Sequence, residues 1–228
     1  MKKMIFFDLD NTLINHSHAE KTAMSETFHS DLKSLLNCEF DEFYQVYLPI
    51  NAGLWNQYNK SELTRDDVKI GRFVKTLQHF DIHEFDVHSL WKNYADRYRR
   101  NWIPIDHAES VLDHLKAKKY SLGIISNGFT DIQTDKIKTM KWEKYFDTVV
   151  FSEMVGIQKP NKAVFDFSLE KSGHEKDDVV YVGDSFETDI EGANNAGWQS
   201  IFFNQNGNPE VNESFRTITD LRELKAIF

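Results

Sequence analysis

Two acids, Asp8 and Asp10, stand directly behind the apolar run Met4-Ile5-Phe6-Phe7. A run this short and apolar throughout reads as a strand buried on both faces of a parallel sheet. Carboxylates two residues apart at the end of such a strand repel one another. One must take up a proton unless a cation neutralises them. The feature constrains fold and chemistry together.

Four further runs read as strands: 120–125, 148–151, 179–182 and 200–203. Each is rich in Val, Ile or aromatic residues, and helical patterns separate them, as in successive parallel βαβ units. The helical patterns cover 108–118, 131–140, 162–172, 187–196 and 221–227. Asn161 is placed to cap the helix that starts at Lys162, and Gly173 and Gly197 stand where helix ends need a left-handed residue. The expected class is α/β, a Rossmann-like parallel sheet with helices on both faces. The Asn- and Gly-rich stretch 204–212 is expected to be the least ordered.

The stretch from Ala19 to Trp102 differs: it carries no convincing strand, and its apolar residues recur at helical spacing. It reads as an inserted bundle of about four helices. The expected division is 1–17 with 104–228 for the α/β core and 18–103 for the insertion. Within it, Tyr44, Tyr47, Asn51, Trp55 and Tyr58 follow one another at spacings of three or four, a stripe that reads first as core. Pro49 should kink or break that helix. Asn51 could cap the break, or hydrogen-bond to a base stacked on an aromatic neighbour.

With 228 residues, a sizeable core is within reach. A net charge of −9 argues against a nucleic-acid polymer or an anionic membrane as partner. Cys38 is the single cysteine, so no internal disulfide forms and a reducing, cytoplasmic setting is expected. Residues 1–8 imitate a signal peptide only briefly, because the apolar stretch runs straight into an acid. No run approaches a membrane span.

In an open parallel sheet all strand carboxyl ends share one edge. That edge should gather Asp8 and Asp10, then Ser126-Asn127-Gly128, then Lys159-Pro160-Asn161, and Gly183-Asp184-Ser185 with Asp189. This order of motifs resembles the haloacid dehalogenase-like hydrolases, over essentially the whole chain, and the helical insertion looks like that superfamily's cap domain. Residues 125–130, 152–162 and 54–58 look like the noncanonical pyrimidine 5′-nucleotidase subgroup.

The resemblance implies a phosphomonoesterase in which Asp8 is the nucleophile and forms an aspartyl-phosphate. Asp10 would be the general acid and base. Mg²⁺ would lie between the Asp8 carboxylate, the Asp10 main-chain carbonyl and Asp184, with Asp189 in support. Lys159 would screen Asp8 from the phosphoryl oxygens, and Ser126 and Asn127 would hold the transferring group. The implied substrate is a small phosphorylated metabolite, a pyrimidine nucleotide by the subgroup likeness. A sugar-phosphate phosphatase or phosphomutase shares the same core chemistry, and an inactive phosphate-binding scaffold is the non-enzymatic alternative.

Overall fold

The computed structural model describes residues 3–205, 207 and 215–228. Their contacts divide into two compact units, residues up to Asn15 together with those from Ile103 onward, and His16–Trp102.

The helical unit is built from α1 (His16–Thr27), α2 (Phe40–Asn59), α3 (Arg65–His79) and α4 (Val87–Arg100). A wider π-type turn, Phe28–Leu32, continues α1. Polar side chains close the helix starts: Thr64 and Asp67 form a reciprocal capping box, and Asp86 accepts the Ser89 N–H. The inward stripes carry Ala23, Met24, Phe43, Tyr47, Leu54, Phe73, Leu90 and Tyr94, all buried. The expected break at Pro49 does not occur, and α2 runs through it. Pro49 is exposed, so the carbonyl its missing N–H leaves unmet faces water. Phe43, Tyr47, Leu54 and Tyr58, buried on both sides of the proline, hold the two halves in one helix.

The α/β unit carries a six-stranded sheet in the order β3-β2-β1-β4-β5-β6 among the described residues. The strands are β1 (Met4–Phe7), β2 (Ser121–Ser126), β3 (Thr148–Phe151), β4 (Val179–Gly183), β5 (Gln199–Phe203) and β6 (Thr217–Ile218). All pairings are parallel. This is a doubly wound, Rossmann-like order, and the winding reverses at β1. Phe6 lies opposite Gly123 on one side and Tyr181 on the other. A Cβ at Gly123 would overlap the Phe6 ring, so the glycine makes room for it.

Both faces of the sheet are covered, which is why its strands read as continuous apolar runs. Ile5 and Phe7 pack with Leu122, Ile124 and Val182 under α5 (Ala108–Ala117), through Val111, Leu112 and Leu115. On the other face Met4 and Phe6 join Ile125, Tyr181 and Trp198. Burying each large side chain contributes roughly 1.5–3 kcal/mol. The helices that follow are α6 (Thr130–Thr139), α7 (Ser152–Val155), α8 (Lys162–Ser172), α9 (Gly192–Asn195) and α10 (Leu224–Ile227). Asn161 caps α8 through the Ala163 N–H, and Gly173 and Gly197 take positive φ, +66° and +81°.

Some expectations are corrected. The helix expected over 187–196 is a π-type turn, Phe186–Glu191, leading into α9, because Ile190 N–H reaches back to the Ser185 carbonyl while Asp189 turns inward. The helix expected over 221–227 begins as a 3₁₀ turn, Leu221–Glu223. β6 and α7, of two and four residues, are too short for periodicity to reveal. Most of the 204–212 stretch lies outside the described residues.

Candidate active site

The site is built where β1 and β4 end. The Asp8 N–H donates to the Val182 carbonyl (2.9 Å), carrying the strand pairing one residue past β1. The chain then turns sharply. Leu13 and Ile14 return their N–H groups to the Leu9 carbonyl, and Asn11 takes φ +60°, a conformation asparagine tolerates better than most residues. The turn sets Thr12 inward, where its hydroxyl donates to Asp184 Oδ1 (3.1 Å). Beyond β4, a Cβ at Gly183 would overlap the Asp189 carboxylate, so the glycine lets that acid fold back over the strand end. The Ser185 N–H donates to Asp189 Oδ2 (3.0 Å) and holds it there.

Lys159 reaches this point from the loop after β3 and is 1 % exposed. Its ammonium donates to Asp8 Oδ1 (2.8 Å), Asp189 Oδ1 (2.6 Å), the Tyr181 hydroxyl (2.7 Å) and the Ile125 carbonyl (3.0 Å). The Asn127 side chain fixes the lysine's backbone: Oδ1 accepts the Lys159 N–H (2.8 Å) and Nδ2 donates to the Lys159 carbonyl (2.9 Å). The Ser126 hydroxyl accepts from Gln133 Nε2 (2.6 Å) and from the Gly128 N–H (3.3 Å). Asp10 is paired with Lys136 and also accepts from Gln133 Nε2 (2.9 Å).

Carboxylate oxygens of Asp8, Asp184 and Asp189 lie within 4.8 Å of one another. Burial pushes the Asp8 carboxyl up to about 7; Lys159 pulls it back, and Asp189 and Asp10 add to the rise. Asp184 is pushed well above the usual carboxylate range, by burial and then by Asp8 and Asp189. Burial works against the Lys159 ammonium, yet Asp189 and Asp8 outweigh it and raise its pKa. One ammonium thus faces three crowded acids. A compact set of hard oxygen donors with surplus negative charge fits Mg²⁺.

Of the residues singled out in the sequence, the structure brings Asp8, Lys159, Asp184 and Asp189 into direct contact or near contact, and Ser126 and Asp10 meet through Gln133. Asn127 spends its side chain on Lys159 and Ser152. Asn51 lies in the helical unit, 6 % exposed, with Nδ2 donating to Glu20 Oε1 (2.7 Å). Sequence reading missed Tyr181, Gln133 and Lys136. A signal for the last two existed, since on α6 both fall between Ile132 and Ile137 around the helix, inside the buried stripe.

Comparison with known proteins agrees with this geometry. Residues 5–203 match the model of the haloacid dehalogenase-like hydrolase family. The chain is 30% identical over 226 residues to the pyrimidine 5′-nucleotidase YjjG of Escherichia coli, covering 98% of this chain and 96% of that one. It is 29% identical over 238 residues to a glyceraldehyde 3-phosphate phosphatase of Methanothermobacter thermautotrophicus, covering both in full. The crystal structure of the HAD-hydrolase YfnB from Bacillus subtilis, bound to magnesium, superposes with a TM-score of 0.87 at 26% identity, over 99% of this chain and 98% of that one. With its paired acids, buried lysine and doubly wound sheet, the chain belongs to the haloacid dehalogenase-like hydrolases.

Proposed function

We propose that this hydrolase cleaves phosphomonoesters through an aspartyl-phosphate, with pyrimidine nucleoside monophosphates as its substrates. The observation that carries the reading is the Lys159 ammonium, which bridges Asp8 and Asp189 where three crowded carboxylates converge. Lys159 holds Asp8 by Oδ1, and the other oxygen attacks phosphorus. The bond to the leaving oxygen breaks, and that oxygen takes the electron pair and a proton from the Asp10 carboxyl. Water then attacks that phosphorus and gives a proton to Asp10, the bond between phosphorus and the Asp8 oxygen breaks, and inorganic phosphate leaves as the Asp8 carboxylate is regenerated. Such acid–base help is worth about 10²- to 10⁴-fold.

Ser126 and the main chain beside it hold the phosphoryl oxygens, and Lys159 offsets their charge. Asp8, Asp184 and the Asp10 carbonyl, with Asp189 alongside, would hold Mg²⁺, which when bound supplies charge compensation for the phosphoryl group. The helical unit serves as the cap domain and sets specificity. Asn51 Oδ1 is buried without a hydrogen-bond partner among the described residues, an acceptor that a pyrimidine N–H would satisfy. The full-length likeness to a glyceraldehyde 3-phosphate phosphatase favours a second reading, a small sugar phosphate on the same core.

Phosphate release from dUMP, UMP, glyceraldehyde 3-phosphate and p-nitrophenyl phosphate, with and without Mg²⁺, tests both. Metal-dependent release, lost in Asp8→Asn and fastest with pyrimidine nucleotides, is the expected result. Fastest release from the triose phosphate would favour the second reading, and no release from any phosphomonoester would overturn both.

A further inference from the structure

We infer that Gln133 and Lys136, one turn apart on α6, are positioning residues that fix the Asp10 carboxylate and tie it to Ser126. The inference rests on the acid–base role proposed for Asp10 and names the groups that hold it in place.

Lys136 and Gln133 are 1 % and 0 % exposed, in a stripe otherwise formed by Ile132 and Ile137. Leucine or methionine would fill that stripe without burying a charge or an amide. What the polar pair adds is geometry. Lys136 grips Asp10 by Oδ1, and Gln133 Nε2 donates to Asp10 Oδ2 (2.9 Å) and to the Ser126 hydroxyl (2.6 Å). An amide nitrogen carries two hydrogens, so it makes both bonds at once. A carboxylate has about four lone-pair directions, enough to accept both donors and still exchange a proton.

The surroundings are shaped for this arrangement. Gln133 Oε1 is buried without a hydrogen-bond partner among the described residues, a cost that packing alone does not explain. A Cβ at Gly128 would overlap the Gln133 amide, so the glycine clears its path. Glu153 accepts the Thr130 N–H (2.8 Å), which pins the start of α6. Asp10 itself sits on a turn, where its side chain would otherwise swing away from an anionic substrate. Misplacement by about 1 Å can cost on the order of 10²-fold in rate.

The test uses the full-length protein with Mg²⁺ and two substrates. p-Nitrophenolate leaves with little need of a proton, whereas the alkoxide of dUMP needs one. In Lys136→Met and Gln133→Leu, kcat/KM for dUMP should fall about 10- to 100-fold. For p-nitrophenyl phosphate kcat/KM should stay within about threefold in Lys136→Met and fall by less than for dUMP in Gln133→Leu, which also releases Ser126. In Lys136→Met kcat and KM should fall together, because water must still give its proton to Asp10. Lys136→Arg should recover most of the loss. Gly128→Ala, which dislodges the Gln133 amide without removing it, should reproduce the same selectivity if Gln133→Leu fails to fold. Equal losses with both substrates, or no loss with dUMP, would overturn the inference. If Asp10→Asn abolishes dUMP hydrolysis and these variants do not slow it, positioning alone is refuted. If Asp10→Asn leaves dUMP hydrolysis intact, the acid–base reading falls, and the inference with it.

Discussion

In the α/β unit the buried Lys159 ammonium meets Asp8 and Asp189 directly, at 2.8 and 2.6 Å. In the helical unit the buried Arg72 guanidinium instead reaches the Val68 carbonyl and, at 3.4 Å, the Tyr47 hydroxyl, and lies over the rings of Trp55 and Trp91. Tyr47 in turn donates to Glu20, which also accepts from Asn51. The buried charges at Lys159 are joined face to face, whereas the Tyr47 phenol stands between Arg72 and Glu20, and Asn51 adds a neutral donor to Glu20. Direct pairing suits a place that must balance added anionic charge. A relay of neutral groups that leaves an acceptor unmet suits recognition of a neutral, flat surface.

The contrast breaks most sharply at Lys159. Lys159→Met leaves two buried acids facing each other, and at pH 8 it should lower unfolding stability by about 3–5 kcal/mol in chemical denaturation. A loss below about 1 kcal/mol would mean that the pairing is loose, like that around Arg72.

A smaller effect follows from pH. Burial pushes the Asp8 carboxyl up to about 7 in the folded protein against an ordinary value of 3.8. Between those values the folded state holds a proton that the unfolded chain has released, so stability falls as pH rises from about 4 to about 7. Relative to Asp8→Asn, the metal-free protein should lose on the order of a few kcal/mol across that window, and added Mg²⁺ should restore it. Melting temperatures of both proteins at pH 5 and pH 8 measure this. A constant difference would show that the crowded acids do not resist ionisation.

The smallest effect belongs to the helical unit. Asn51→Ala should raise KM for dUMP about tenfold, equivalent to about 1.4 kcal/mol, and leave KM for p-nitrophenyl phosphate unchanged. Equal shifts for both substrates would remove Asn51 from base recognition and make the two units less different than they look.

The same contrast explains what could be read in advance. Strand ends are legible because an acid behind an apolar run is out of place in a linear sequence; Asp8 and Asp184 both stand this way, and the sheet brings them together. Lys136 and Gln133 were hidden because polar residues within a helix resemble a solvated face, and only their angular position between two isoleucines separates them from one. Pro49 does not break α2, because its side chain is exposed while buried residues on both sides of it keep the two halves in one helix, a tertiary effect that no local rule contains. The bend at Asp189 follows from its bonds to Ser185 and Lys159, contacts that no local pattern contains.

Asp8 follows a strand that is flanked on both sides, and that strand precedes the other five in chain order among the described residues. Residues 4–7 pair with 121–124 on one side and 179–182 on the other. During translation, Asp8 must therefore wait for Lys159, Asp184 and Asp189 to leave the ribosome. A chain cut before them would carry Asp8 without the ammonium and the two carboxylates that it meets in the fold.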